Sequence, residues 1–359
     1  MELQTRRWKI DHEAESGAAA IREAAGLIRA GKLVAFPTET VYGLGADATS
    51  DAAVRGIFAA KGRPADNPLI VHIADLSQLD ELTENRPPLA DQLAAQFWPG
   101  PLTLVLPLKK GAVSPLVTAG LPTVAVRMPD HPVALALIRS AGCPIAAPSA
   151  NVSGRPSPTT ARHVSEDMLG RIAGILDGGP TSVGVESTVV AVPDNTIEIL
   201  RPGGITAEQL AAAAGKAAVA AVAPEDNRHA AQDAHKPRAP GMKYKHYAPR
   251  GCLTVVSGYD HDAVARYINE QLAAPGKRGE TVGVLTFAEY AESYNADLVL
   301  SLGSVRDLRQ AANRLFACLR RFDEHGVSHI WAEACAEQGI GQAVMNRLQK
   351  AAAGRVVKI

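Results

Sequence analysis

Several residue groupings that commit a chain to a particular chemistry are missing here. The four cysteines, Cys143, Cys252, Cys318 and Cys335, include no C-x-x-C pair, which excludes a zinc ribbon and a dithiol redox centre. Set mostly in apolar runs, they read as reduced core thiols of a cytosolic protein. His12, His131, His163, His229 and His235 have no partner at metal-ligand spacing. The strings G-x-x-x-x-G-K-S/T, G-x-G-x-x-G and G-x-S-x-G are all absent, so no standard phosphate loop, dinucleotide fingerprint or nucleophile elbow is encoded. Net charge is lacking too. The 37 basic residues are balanced by 37 acidic ones, so any anion site must be a local cluster. No run is long and apolar enough to span a bilayer, because the Ala tract after Leu210 is broken by Gly215, Lys216 and Pro224. The charged N-terminal stretch (Arg6, Arg7, Lys9, Asp11, Glu13) has no signal-peptide apolar run. A soluble, cytoplasmic protein without a membrane partner is expected.

What the first half does have is a series of polar islands in an Ala-rich, apolar background. They are PTETVYGLGAD (Pro37–Asp47), KGRPADNPLIVH (Lys61–His72), PTVAVRMP (Pro122–Pro129), APSANVSG (Ala147–Gly154), GVEST (Gly184–Thr188) and LRPGG (Leu200–Gly204). Most stand at or beside the end of a short apolar run, where α/β proteins place ligand-binding loops. They offer cations, hydroxyls, an amide and tight glycine turns, a set suited to an anionic substrate such as a nucleotide.

At 359 residues the chain is long enough for two domains. Helical periods occur at 17–30, 51–60 and 88–97, and strand-like runs at 33–36, 69–73, 102–107, 123–128, 144–147, 174–177, 188–192 and 197–200. This mixture predicts an α/β or α+β domain. From 205 to 240 the chain is rich in Ala with Asp, His, Gln and Pro, which suggests a short helix and a linker. PRAPGMKYKHYAPRG (Pro237–Gly251) is too rich in tyrosine and basic groups for an inert spacer. After Gly251, strands at 253–257, 281–286, 298–302 and 329–332 alternate with helices at 261–273, 304–322 and 341–352. That pattern predicts a small doubly wound parallel sheet.

Each island has an ordinary reading beside a functional one. Lys61 and Arg63 follow a helix, where cations simply favour the dipole. Their continuation into Asn67-Pro68 and a strand bearing His72 suits triphosphate binding, with Lys a mobile charge and Arg a fixed fork. In 123–128, Thr123, Ala125 and Arg127 share one face and Val124 and Val126 the other. Ser149-Ala150-Asn151 could be a plain turn, or its polar groups could hydrogen-bond a ligand. Arg201, before Pro202-Gly203-Gly204, could add a further cation.

In this order, PTETVYGLGAD, KGRP-x-x-NPL-x-x-H, PSAN-x-SG, EST and LRPGG resemble the YrdC-type L-threonylcarbamoyladenylate synthases. The PGMKYKHYAP segment and appended α/β domain look like the long, two-domain form of that family. The resemblance implies a twisted mixed-sheet α/β catalytic domain (1–210), a lid-forming linker (211–250) and a Rossmann-like parallel-sheet domain (251–359). It implies synthesis of threonylcarbamoyl-AMP and pyrophosphate from ATP, L-threonine and bicarbonate, with Mg2+ accompanying ATP and no metal ligands from protein side chains. The product would pass to a complex that modifies the adenosine next to the anticodon of certain tRNAs, with room for a weak tRNA contact. By the same resemblance Lys61 and Arg63 are catalytic. Together with Asn67, Thr123, Ser149, Asn151, Ser157 and Arg201 they contact ATP. Thr40, His72, Arg127, the Ala147 backbone and Ser187 hold threonine, and Tyr244, His246 and Tyr247 belong to the lid.

Three rivals are weaker. An RNA-binding module would want net positive charge and aromatics interleaved with basic residues. The carbamoyl-adenylate-forming hydrogenase-maturation relatives carry Cys-rich zinc modules that this chain lacks. A regulatory nucleotide binder would bind ATP without releasing pyrophosphate.

Overall fold

The computed structural model describes residues 3–10, 15–215, 219–220 and 246–359. Residues 221–245 of the expected linker, Tyr244 among them, lie outside the described residues. The chain divides into two compact units: Met1–Ser153, Pro158–Ser182 and Glu186–Lys243 in one, Gly154–Ser157, Val183–Val185 and Tyr244–Ile359 in the other.

The first unit opens with β1 (Arg6–Lys9), α1 (Glu15–Arg29), β2 (Val34–Phe36), β3 (Gly43–Asp47), α2 (Asp51–Lys61), β4 (Ile70–His72), α3 (Ser77–Leu82) and α4 (Pro88–Phe97). It continues with β5 (Leu102–Pro107), β6 (Thr123–Arg127), α5 (Pro132–Ala141), β7 (Ile145–Ala146), α6 (Ala161–Met168) and β8 (Gly174–Asp177). β9 (Thr188–Ala191), β10 (Ile197–Arg201), α7 (Ala207–Ala214) and β11 (Val219–Ala220) complete it. Among the described residues the strands form one mixed sheet in the order β1-β8-β2-β3-β7-β4-β6-β5-β9-β10-β11. β4 and β6 are parallel, whereas β5 and β6 are antiparallel. One face buries Leu44, Val71, Leu104, Val124, Val126 and Ile199 in the larger core with Val54 and Ile57 of α2 and Leu89 and Leu93 of α4. On the other face, Phe36, Ile145 and Leu176 pack with Ile28 of α1 and Leu137 of α5. Beside them, Ile70, Val105, Ala125, Val189, Ala191 and Leu200 form a small apolar floor.

Three strands of this unit, β1, β3 and the two-residue β11, escape the sequence reading. β1 is mostly charged and exposed, so it has no alternation to detect. β3 lies inside the first polar island, where glycines suggest a turn. Here Gly45 is required by packing, because a Cβ would sit 2.8 Å from the Phe36 ring and 2.9 Å from Ile145 Cγ2. A further departure affects β10. Its pairing with β9 runs Ile199 opposite Val190 and then Arg201 opposite Val189, a bulge that takes up Leu200. Strict alternation from Ile197 and Ile199 would send Arg201 into the larger core; the extra residue turns it to the face of Val189.

The second unit contains β12 (Cys252–Ser257), α8 (His261–Lys277), β13 (Val282–Thr286), β14 (Leu298–Ser301), α9 (Leu308–Glu324), β15 (His329–Glu333), α10 (Gly341–Ala351) and β16 (Val356–Lys358). All pairings in its sheet, ordered β14-β13-β15-β12-β16, are parallel, as a doubly wound domain requires. α9 starts four residues later than its periodicity predicts, because Asp307 caps it and Ser304 is spent on Glu289. Burial pushes the thiols of Cys143 and Cys335 up to about 12 and that of Cys318 to about 11, as expected of inert thiols. Cys252 is the exception: it opens β12 and is exposed, not a core thiol.

At the carboxyl ends of β13 and β15, buried Glu333 accepts hydrogen bonds from the hydroxyls of Thr286 and Tyr294 and lies 2.9 Å from His261 Nδ1. This carboxylate, on β15, thus ties the first residue of α8 to the end of β13 and to Tyr294. Removing it leaves buried hydroxyls unmet, so Glu333→Ala should destabilise the protein by about 2–3 kcal/mol. Urea unfolding monitored on the full chain reads that loss.

Candidate active site

The site is assembled on the sheet face that carries the small apolar floor, from turns that fix charged side chains in buried positions. α2 begins at Ser50, whose hydroxyl accepts from Ala53 N, and ends at Gly62 with φ 60°. Gly62 N bonds to Ala59 O and Arg63 N to Phe58 O, a Schellman closure that reverses the chain immediately after Lys61. Lys61 is thereby not a solvated helix-end cation. It is 1% exposed, and its Nζ donates to the carbonyls of Ser149 and Asn151, the second at 2.5 Å. Lys61 O in turn accepts from Ser153 N at 2.9 Å.

The Ala147–Asn151 segment that receives Lys61 is itself pinned by backbone bonds. Ala147 N donates to Ile70 O, Leu44 N to Pro148 O and Ala150 N to Tyr42 O. The Ala147 amide is therefore committed, and its carbonyl is the backbone group left for a ligand. Asn151 Nδ2 donates to Val152 O at 2.8 Å, so its amide group serves the turn. Arg63 is half-buried, with Nη2 3.0 Å from Pro68 O. Asn67 is buried, and among the described residues its Oδ1 has no hydrogen-bond partner.

Arg127 forms the second centre. As expected from alternation, it shares the floor face with Ala125, while Val124 and Val126 enter the larger core. Its Nη1 donates to Thr40 Oγ1 at 2.9 Å and its Nε to Gly100 O at 3.3 Å. Nη2 lies 2.6 Å from Glu39 Oε2. Parallel pairing sets His72 opposite Arg127. Burial first, and the Arg127 charge second, pull the His72 imidazole down to about 3, so it is neutral at any ordinary pH. Thr123, at the other end of β6, lies about 13 Å along the strand from Arg127.

Ser187 and Arg201 form a third centre. Arg201 Nη2 donates to Ser187 O at 3.0 Å and to Ser187 Oγ at 3.2 Å, a contact that depends on the β10 bulge. Ser187 Oγ is also 2.7 Å from Thr103 Oγ1 on β5. The LRPGG turn presses close: a Cβ at Gly203 would come within 2.3 Å of Glu186 O, Ser187 C and Thr188 N, so only glycine fits.

Thus the structure joins Lys61 to Ser149 and Asn151, Arg127 to Thr40 and His72, and Arg201 to Ser187. Ser157, His246 and Tyr247 belong to the second unit. There the Tyr247 ring is buried, 5.2 Å from Phe316 and 5.5 Å beneath the Arg347 guanidinium. Sequence reasoning missed Glu39, although it stands in the first island, and Thr103, hidden in an apolar strand. Both lack any signal beyond their neighbours. Among the described residues, no group of three or more His, Cys, Asp and Glu side chains could hold a metal ion, and no helix is long and apolar enough to cross a membrane.

The His72 shift has a stability consequence. Below pH about 6.5 the unfolded chain binds a proton at this imidazole that the native chain refuses until about 3. Stability from His72 is thus fully present above 6.5 and is lost as pH falls toward 3. Equilibrium unfolding at stepped pH should show a shallower acid loss for His72→Gln than for the unaltered chain.

Two family models match the chain. Residues 26–203 fit the Sua5, YciO and YrdC family described as telomere recombination, and residues 205–353 fit the C-terminal domain of threonylcarbamoyl-AMP synthase. The threonylcarbamoyl-AMP synthase of Bacillus subtilis is 52% identical over 358 residues, spanning 99% of this chain and 100% of that one. That of Pyrococcus abyssi is 50% identical over 342 residues, spanning 94% and 96%. A crystal structure of P. abyssi Sua5 complexed with L-threonine superposes with a TM-score of 0.88, at 48% identity and 100% coverage of both chains. The chain belongs to the two-domain threonylcarbamoyl-AMP synthase family.

Proposed function

We propose that this protein joins L-threonine, bicarbonate and the adenylate of ATP into threonylcarbamoyl-AMP, releasing pyrophosphate, as the first step of threonylcarbamoyl modification of tRNA adenosine. The observation that carries this reading is the buried Arg127 fork, fixed by Thr40 and Gly100 beside a neutral His72. A relative 48% identical over its whole length was crystallised with L-threonine.

Threonine's ammonium first gives up a proton to solvent, and the free amine condenses with bicarbonate, forming the N–C bond of an N-carboxylate and releasing water. An oxygen of that anion attacks the α-phosphorus, and the bond from that phosphorus to the bridging oxygen of pyrophosphate breaks. Two anions must meet, so the protein's work is positioning and charge neutralisation. Lys61, Arg63 and Arg201 supply positive charge for the phosphates, with Asn67, Thr123, Ser149 and Asn151 as polar contacts to ATP. Lys61 needs little rearrangement, because two carbonyls already hold its ammonium. Arg127 receives the threonine carboxylate. Thr40, His72, Ser187 and the Ala147 carbonyl supply hydrogen bonds to its polar groups, with His72 as a neutral imidazole that adds no charge. Mg2+ would accompany ATP and would offset part of its charge. Threonylcarbamoyl-AMP is then consumed by a separate tRNA-modifying complex.

Pyrophosphate release from ATP, with threonine and bicarbonate omitted in turn, tests the reading: release should require both. Release without threonine would point to another acceptor, and ATP binding without release would make the protein a nucleotide binder. Lys61→Ala should lower turnover about 10²–10³-fold, the usual effect of losing one preorganised electrostatic contact. An unchanged melting temperature would show that the loss is catalytic, and near-normal turnover would remove Lys61 from its role.

A further inference from the structure

Glu39 is a buried carboxylate that none of the roles above uses. Its side chain is 6% exposed, and that of its ion partner Arg127 is 4% exposed. The two charges meet at 2.6 Å, yet among the described residues neither Glu39 oxygen has a hydrogen-bond donor, and Arg127 Nη2 has no hydrogen-bond acceptor. The contact is thus a charge pair without hydrogen-bond alignment. A guanidinium has five N–H groups. Gly100 takes one and Thr40 another, so three remain, including both on Nη2. Glu39 likewise keeps acceptor capacity on both oxygens. A structural ion pair at this depth normally needs further hydrogen bonds to repay its desolvation. Here both partners hold that capacity in reserve.

The turn that carries Glu39 is rigid. Thr38 Oγ1 donates to Val41 O at 2.7 Å and accepts from the amides of Thr40 and Val41 at 3.2 and 3.3 Å. It is also 2.8 Å from Thr40 Oγ1. One hydroxyl therefore fixes the backbone on both sides of Glu39, and the same turn delivers Thr40 to Arg127.

An amino acid at neutral pH carries one negative and one positive group, and burying either unmet is costly. The pocket holds the complementary charges side by side. We propose that Glu39 is the ammonium-binding residue of the threonine pocket, and that binding exchanges the Glu39–Arg127 pair for two pairs with the zwitterion. Threonine's carboxylate takes the free Arg127 fork, and its ammonium takes Glu39. Each buried charge keeps an opposite partner throughout, and both gain the aligned hydrogen bonds they lack with each other. The inference rests on the proposed threonine pocket and adds the group that discriminates an α-amino acid from a hydroxy acid. Such discrimination is strong when a buried polar group would be left unmet by the wrong ligand.

Calorimetric titration of the full-length protein with L-threonine and with 2,3-dihydroxybutanoate, which keeps the carboxylate and β-hydroxyl but replaces the amine by a hydroxyl, tests it. Glu39→Gln should weaken threonine binding about 10–100-fold while changing the analogue by less than about threefold. Glu39→Asp, which keeps the charge on a shorter arm, should recover part of the threonine affinity, and it carries the same comparison should Glu39→Gln not fold. Equal weakening of both ligands would make Glu39 only the counter-ion that holds Arg127, and would overturn the proposal. Unchanged threonine binding in Glu39→Gln would do so as well. Failure of the unaltered protein to bind threonine would overturn the functional reading itself, and this inference with it.

Discussion

The site depends on holding cations out of water. Lys61, Arg127 and Arg201 are almost completely buried in the first unit, and burial of an unpaired charge is among the costliest things a fold can do. Each is held by oxygens on rigid backbone: Ser149 and Asn151 for Lys61, Gly100 for Arg127, Ser187 for Arg201. Partial negative charge on these carbonyl oxygens helps to keep a buried cation in place. In a low-dielectric setting a charge so placed acts more strongly on its neighbours than it would in water. Much of the surrounding architecture follows from this. The Schellman turn at Gly62 and the stitching of 147–151 onto β3 set the oxygens for Lys61. The β10 bulge and Gly203 do the same for Arg201.

Arg127 has an anionic neighbour in Glu39, and a pair of opposite charges suits one kind of ligand in particular. A zwitterion presents both signs. A pocket for it is best lined with both, each set where the other can hold it. The neutral imidazole of His72 fits the same logic, because a protonated histidine beside Arg127 would add an unbalanced charge.

Most of the fold was legible from periodicity. Leu102–Pro107, Gly174–Asp177 and Pro88–Phe97 have the bounds that their patterns predict, and the alternating β and α signals after Gly251 specified the parallel second unit. Illegible elements share a cause, since their residues are chosen by something other than a local period. β3 is glycine-rich because Phe36 and Ile145 occupy the space above it. β1 pairs with β8 through its backbone while its side chains remain mostly exposed. Helices α3, α5 and α6 lie in the gaps between the polar islands that drew the sequence reading, and α3 spans only six residues.

The site was legible in kind more than in detail. Motif wording singled out Lys61, Arg127 and Arg201, and strand alternation gave Arg127 its face. Alternation alone would place Arg201 on the wrong face, because a bulge adds one residue that no hydrophobic pattern reveals. Glu39 was invisible for another reason. Between two threonines, a glutamate is unremarkable as sequence, and its meaning comes only from burial against Arg127, 88 positions away along the chain. Charges that act as a pair across such a separation carry no local signature. The same physics that hides them from the sequence makes them informative in the fold, since a buried ion pair lacking its hydrogen bonds is costly to keep without a ligand to complete it.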